Sequence, residues 1–403
     1  MKKFLTYKIP SIYSISILGA VVVILTGYTA FKAGEIRGRY EAINEKKANK
    51  AQFKKRLYGA RKINNDKFKS NPIFNTIADH YKITDVQGLI SVKTSKDLEN
   101  KRKELIHFLW GNSSLPISKL PRKININFYD KRYKLLYEDS LEKIDHVLVE
   151  MEYNLQSNIY HFIPKLNNGR LVIFHQGHGG DFVKNIVLID SLLKSGYSVA
   201  GFCMPLLGLN NKPKIRDPRF GLLKLTSHNH IKFLKPEKGH HIKYFLEPIV
   251  VFLNYASHKY KDISMIGISG GAWTATLVTA VDNRILHSFP VAGSYPIFLR
   301  SNSRRDWGDY EQTVPELYRT CNYLELYILG SYGKGRSQLQ VINRYDPCCF
   351  AGIKWKTYYS VLKDISEKMD EMDWDLFLDE SHSSHMISEE TQSIILSILN
   401  KSK

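Results

Sequence analysis

A run of apolar and β-branched residues, Ile263 to Ile268, is followed at once by Ser269-Gly270-Gly271-Ala272, and a helix-compatible stretch then reaches Val281. The first part has the length and composition of a short buried strand. What comes after it must bend sharply to start a helix. Gly267 and Gly271 flank Ser269 in a G-x-S-x-G arrangement, and the missing Cβ atoms let strand and helix approach each other there. A serine at such a bend has its hydroxyl lifted clear of the backbone, beside a helix N-terminus that favours developing negative charge. Ser269 is therefore a candidate nucleophile. A glycine-rich strand-to-helix turn serves a purely structural purpose equally well, so the rest of the chain has to supply the partners.

The chain has 403 residues with 43% hydrophobic content, enough for one large core or two smaller ones. Its formal charge of +19 is uneven: residues 1–70 hold sixteen Lys and Arg against four Asp and Glu, so +12 of it precedes the main domain. The remaining +7 over 333 residues argues against a nucleic-acid-binding face there. Residues 32–70 read either as a solvated basic stalk or as a segment attracted to anionic lipid headgroups. Ahead of them, Ile9 to Phe31 carries no charge. That is about the 20 residues a helix needs to cross a bilayer, so residues 1–31 are predicted to be an uncleaved membrane anchor. A cleaved signal peptide is the rival, disfavoured because Tyr28, Phe31 and Lys32 occupy the places of a small-x-small cleavage site. Flanking charge nearly ties; a short N-terminal tail left in the cytoplasm puts the catalytic domain outside it. Four cysteines, Cys203, Cys321, Cys348 and Cys349, show no zinc-type spacing, and one bridge from Cys321 to Cys348 or Cys349 stays open.

Residues 71–123 are predicted to be a helical extension. Leu98, Leu105, Ile106, Leu109 and Trp110 recur at helical intervals within Asp97–Trp110, and Gly111 stops the helix. A catalytic domain is expected over 124–403. It begins with strands at Ile124–Phe128 and His146–Tyr153, the second alternating in polarity and pairing with Asn158–Ile163 as a hairpin. From Leu171 onward short apolar strands alternate with helices: Leu171–Phe174, Ser198–Met204, Ile263–Ile268, Ile285–Val291, Leu339–Asn343 and Asp375–Leu378 are the strands. That rhythm means a mostly parallel sheet covered by helices on both faces. Leu206–Lys243 and Tyr295–Gly335 break it, and are predicted lid or pocket insertions.

A nucleophilic serine needs an oxyanion hole, an acid and a base. The turn His175-Gln176-Gly177-His178-Gly179-Gly180-Asp181 follows an early strand, and its glycines leave backbone N–H groups free to point at a carbonyl oxygen. The expected donors are the amides of Gly270 and His178, with Gly179 the less favoured choice for the second. Asp346, just past the strand Leu339–Asn343 and stiffened by Pro347, is the predicted acid, with Asp379 in reserve. His385, in the last loop, is the predicted base, preferred over His382. His228 and His230 look like solvated loop residues, His240 and His241 lie in the first insertion, and none has metal-ligand spacing with a third ligand nearby.

The chain order Ser269, Asp346, His385 resembles that of the α/β-hydrolase superfamily, over about seven-tenths of the chain from Ile124 on. Gln176-Gly177-His178-Gly179-Gly180 is similar to the His-Gly-x-Gly-Gly oxyanion turn of acetyl xylan esterase-like and dienelactone hydrolase-like members, with Gln176 in place of the usual histidine. The resemblance implies an α/β-hydrolase fold and hydrolysis of an ester, thioester or amide through an acyl-enzyme. It implies no metal and no organic cofactor. A carboxylic ester is the expected substrate. Arg304, Arg305, Asp306, Trp307, Asp309 and Tyr310 at a pocket rim would suit an acylated saccharide, and would equally suit a packed lid. A serine peptidase of the same fold and a catalytically silent, membrane-tethered binding protein are the alternatives. The first 120 residues match no family pattern. If the basic segment engages anionic lipid, deleting residues 32–70 will reduce co-sedimentation with anionic vesicles, while a neutral stalk leaves it unchanged.

Overall fold

In the computed structural model the apolar strands read from the sequence line up side by side in one nine-stranded sheet. The structure describes Phe68, residues 70–300 and residues 304–401. The expected membrane anchor (1–31) and nearly all of the basic stalk (32–70) lie outside the described residues. Among those described, no helix is long and apolar enough to cross a membrane.

The helical extension forms α1, Ser95–Trp110, with a capping box in which Thr94 and Asp97 satisfy each other's end of the helix and Gly111 closes it in the left-handed region at φ 67°. Its buried face is Leu98, Leu105, Ile106, Leu109 and Trp110, as the spacing predicts. Strands β1 (Lys123–Asn125), β2 (Leu141–Glu150) and β3 (Gln156–Pro164) then pair antiparallel. Val147 and Val149 face the core while His146, Leu148 and Glu150 are only half-buried, the expected alternation. The first strand is shorter than predicted. Asn127 turns to φ 56° and gives its amide to Asp145 Oδ1 at 3.1 Å, which ends the ladder before Phe128.

The remainder is β4 (Arg170–His175), α2 (Ile186–Lys194), β5 (Ser198–Phe202), a small hairpin β6 (Lys214–Asp217) and β7 (Gly221–Lys224), then α3 (Lys243–Ala256), β8 (Asp262–Ile268), α4 (Gly270–Val281) and β9 (His287–Val291). After these come α5 (Tyr323–Ser331), β10 (Ser337–Asn343), α6 (Lys356–Lys368), β11 (Trp374–Asp379) and α7 (Glu389–Lys401). The sheet order is β1-β2-β3-β5-β4-β8-β9-β10-β11, parallel from β5 onward. The link from β4 to β5 runs one way along the sheet, and the links from β5 to β8 and on to β11 run the other way. With right-handed crossovers this puts α2 on the opposite face from α3, α4, α5 and α6. The helix α7 lies on the α2 side, where Tyr197 Oη meets Asn400 Oδ1 at 3.0 Å. Strands β4 and β8 flank the point where the direction reverses, and such a point opens a crevice at the strands' carboxyl ends.

The second predicted insertion is not all lid. Its last part, α5, has all nine residues buried, packs on α4 and forms the crossover from β9 to β10. An all-round apolar helix carries no amphipathic stripe, so nothing in its periodicity separates it from a loop of mixed residues. Buried Arg336 ties it in, donating to the carbonyls of Thr279, Leu329 (3.0 Å) and Tyr332 (2.7 Å). Arg102 on α1 reaches the carbonyls of Ala280 at 2.8 Å and Leu329 at 3.1 Å, so the extension is docked on the ends of α4 and α5. Leu326 on α5 is fully buried. Leu326→Ala should cost about 2–5 kcal/mol in urea unfolding, whereas a lid residue would cost a small fraction of that.

Candidate active site

Ser269 stands between β8 and α4 at φ 58°, ψ −125°, a region that L-residues rarely occupy. The neighbouring backbone enforces it. A Cβ on Gly267 would lie 2.2 Å from the Gly271 carbonyl oxygen, and one on Gly271 would lie 2.1 Å from that of His175. The bend is pinned on both sides: Ser269 N donates to Val291 O at 3.0 Å, and Ser269 O accepts from Ala272 N at 2.9 Å. The serine is half-buried, and its hydroxyl makes no hydrogen bond to a described residue.

The turn after β4 lies directly against this elbow. A Cβ on Gly177 would come 2.6 Å from Ser269 Cβ and 2.9 Å from Gly270 N. The His178 ring covers Gly270, with Cε1 2.5 Å from where a Cβ would sit. Gln176 has its own task, its Oε1 accepting from Asn185 Nδ2 at 2.7 Å. His175 is buried below, its Nδ1 2.9 Å from the Gln176 carbonyl, and burial lowers its pKa to about 4. It is a neutral structural ring. The Gly179 carbonyl is held by the Lys184 ammonium.

At the far strands, His385 Nδ1 lies 2.6 Å from Asp346 Oδ2. Asp346 is fully buried, and its Oδ1 accepts the Cys348 amide at 2.7 Å. His385 Nε2 is buried without a hydrogen-bond partner. The structure thus brings the predicted acid and base together and leaves the serine hydroxyl and Nε2 unbonded. Such contacts commonly close only around a bound substrate. Cys348 and Cys349 are bonded to each other beside this histidine, and Cys321 is buried and free, so the bridge considered for Cys321 is absent. The two sulfurs and a His385 ring nitrogen lie within 4.8 Å of one another.

Several expectations for the insertions are overturned. His228 is 7% exposed, not solvated, and its ring lies 4.5 Å from that of His178. His178, His228, Asp309 and Glu311 each bring a ligand-type atom within 4.8 Å of the others, although the sequence shows no metal-ligand spacing. The four come from three distant segments, so no local pattern could mark them. Burial disfavours charge on His178, but the hydrogen bond and charge of Glu311, with Asp309, outweigh it and raise its pKa. Of the supposed rim residues, Asp306 is buried under the Phe350 amide (2.9 Å) and the Lys354 ammonium, and Tyr310 packs among His228, His241 and Phe245. Among the described side chains of that group, Trp307, 52% exposed, is presented as a rim side chain would be. A cavity of about 550 Å³ opens beside Leu89, Phe298, Pro315, Tyr318 and Leu324, and none of Ser269, Asp346 and His385 lines it.

No protein-family model matches the chain, and no curated protein is detectably similar to it in sequence. Solved structures are similar in shape. Methylesterase BT1017 superposes with a TM-score of 0.54 at 17% identity, over 81% of this chain and 69% of that one. Acetyl xylan esterase 1 from Thermoanaerobacterium sp. JW/SL YS485 gives 0.50 at 10% identity, over 82% of this chain and 99% of that one. The Pyrococcus furiosus esterase Pf2001 gives 0.46 at 18%, over 70% and 98%. At such identities likeness establishes a fold and nothing finer. The fold is that of the α/β-hydrolases.

In this α/β-hydrolase fold the reserve pair, Asp379 and His382, sits in a knot of its own. Asp379 accepts from Ser381 N at 2.9 Å, from Ser381 Oγ and Thr391 Oγ1 at 2.6 Å, and from the Ser388 hydroxyl. His382 Nε2 lies 3.4 Å from it, and His382 Nδ1 accepts the Ser384 amide at 3.1 Å. The knot anchors the loop that carries His385. Burial opposes charge on Asp379, yet the hydrogen bonds of His382, Ser381, Ser388 and Thr391 prevail and hold its carboxyl far below the ordinary 3.8. As pH falls the unfolded chain takes up this proton first, so the stabilisation is whole above about pH 4 and drains away below it. Asp379→Asn should lose roughly 1–3 kcal/mol at neutral pH, and its stability, followed by denaturant unfolding, should fall less steeply in acid than that of the unaltered protein.

Proposed function

We propose that the chain is a serine hydrolase that cleaves a carboxylic ester through an acyl-enzyme. Ser269 Oγ attacks the acyl carbonyl and passes its proton to His385 Nε2. Asp346 keeps the Nδ1–H tautomer in place and stabilises the imidazolium. The amides of Gly270 and His178 receive the oxyanion, close to the N-terminus of α4. His385 then protonates the leaving alcohol; water, activated by the same nitrogen, attacks the acyl-serine and releases the acid.

One observation carries this reading: a serine forced to positive φ shares the carboxyl-end rim of the sheet with an imidazole whose Nδ1 is on a buried carboxylate and whose Nε2 is unclaimed. An acylated saccharide is the first substrate class to try, because exposed Trp307 offers a face on which a sugar can stack. The uncharged run of residues 9–31 supports a single-pass anchor, with the catalytic domain outside the cytoplasm.

Ser269→Ala should abolish labelling by a fluorophosphonate probe and reduce hydrolysis of short-chain p-nitrophenyl esters by at least roughly 10³-fold. Labelling that survives in that variant assigns the nucleophile elsewhere. Cleavage of aminoacyl-naphthylamides without acetyl-ester hydrolysis would replace the esterase by a peptidase. A folded wild-type protein inert to every fluorophosphonate would make it a binding protein.

A further inference from the structure

We propose that His178, His228, Asp309 and Glu311 form a site for one divalent transition-metal cation of the zinc type. They come from three places: the turn after β4, the loop following the β6–β7 hairpin, and the start of the second insertion. His178 Nε2 lies 2.8 Å from Glu311 Oε1 and His178 Nδ1 lies 3.1 Å from Asp309 Oδ2. His228 Nε2 lies 3.5 Å from Asp309 Oδ1 and 3.8 Å from Glu311 Oε2. Metal–ligand bonds of about 2.0–2.2 Å set tetrahedral ligand atoms about 3.3–3.6 Å apart. These spacings involve both ring nitrogens of His178, only one of which can face a given cation; with one ligand atom taken from each residue the four lie within 4.8 Å of one another, and side-chain rotations would close them to that range.

A second observation is independent of spacing. His228 Nε2 and Glu311 Oε2 are both buried and neither has a hydrogen-bond partner. Glu311 is fully buried and His228 is 7% exposed. An imidazole nitrogen and a carboxylate oxygen both left without a hydrogen bond in the interior are costly unless something bridges them. No lysine or arginine among the described residues forms an ion pair with Asp309 or Glu311. With both imidazoles deprotonated for ligation, the two carboxylates would carry a charge of −2, which one divalent cation cancels. Two nitrogens and two carboxylate oxygens suit zinc, cobalt or manganese; calcium takes six to eight oxygens and magnesium an octahedron with several waters. The other cluster, Cys348, Cys349 and His385, makes a poorer ligand set, because its sulfurs are bonded to each other and His385 Nδ1 is on Asp346.

The His178 ring rests on Gly270, so a cation held by that ring would tie both insertions to the turn against the elbow. This does not depend on Ser269 being a nucleophile.

The test uses the full-length chain in detergent, stripped with a chelator, then titrated with ZnCl2 by calorimetry and with CoCl2 by visible absorption. One equivalent of zinc should bind and raise Tm, and cobalt should show the d–d bands of a nitrogen and oxygen shell. His228→Ala and Glu311→Gln should each weaken binding by more than the roughly 10–100-fold that outer partners cost, while Ser269→Ala binds as the unaltered chain does. Should Glu311→Gln not fold, His228→Ala, checked by circular dichroism, decides alone. No stoichiometric binding to the unaltered protein overturns the proposal. So does binding that survives His228→Ala, or that is lost instead in Cys348→Ser/Cys349→Ser.

Discussion

Three stretches of backbone meet at the elbow closer than side chains would allow, and the rest of the structure is arranged to keep them there. The Gly271 carbonyl occupies the space beside Gly267, and the His175 carbonyl the space beside Gly271. Holding Ser269 at φ 58° costs on the order of 1–3 kcal/mol. That cost is offset by burying all twelve residues of α4 and by running β8 between β4 and β9. The pairing of Phe174 with Ile266 and of His175 with Gly267 ends both strands at one level. The turn Gln176–Gly180 is therefore delivered beside Ser269 by sheet register alone.

Two aspartates at the far strands divide the work of presenting a histidine. Asn343 and Asp379 are register partners at the ends of β10 and β11. Asp379 spends its lone pairs inward, on Ser381, Ser388 and Thr391, and so fastens both ends of the loop between β11 and α7. Asn343 adds a bond to the Met386 carbonyl at 2.8 Å. Asp346 meets His385 from the neighbouring loop. The imidazole is held by one carboxylate while its loop is held by another, so its orientation does not rest on a single contact.

The insertions do more than cover the sheet. Asp306, Tyr310 and Glu311 are packed inward, and the histidines that Tyr310 and Glu311 approach come from the other insertion and from the turn after β4. Polar groups brought together this way are satisfied only if each partner arrives, which makes the region over the elbow sensitive to small displacements.

Much of this was legible without coordinates, because it is local. Strand and helix rhythm follows from side-chain periods of 2 and 3.6, the bend at Ser269 from glycines two residues either side of it, and the stop at Gly111 from left-handed φ. The places of Ser269, Asp346 and His385 were readable too, since each follows a recognisable strand. Other features were settled by tertiary structure. The helix α5 is buried on every side and so has no polar stripe to read. His385 and His382 are three residues apart and chemically alike, and only the partner each meets, Asp346 or Asp379, separates them. Cys348 met its neighbour and not Cys321. His178, His228, Asp309 and Glu311 became one cluster across 133 residues of chain. Steric rules act over a few bonds and are written in neighbouring letters, whereas a contact between remote side chains exists only once the sheet has fixed where each loop begins.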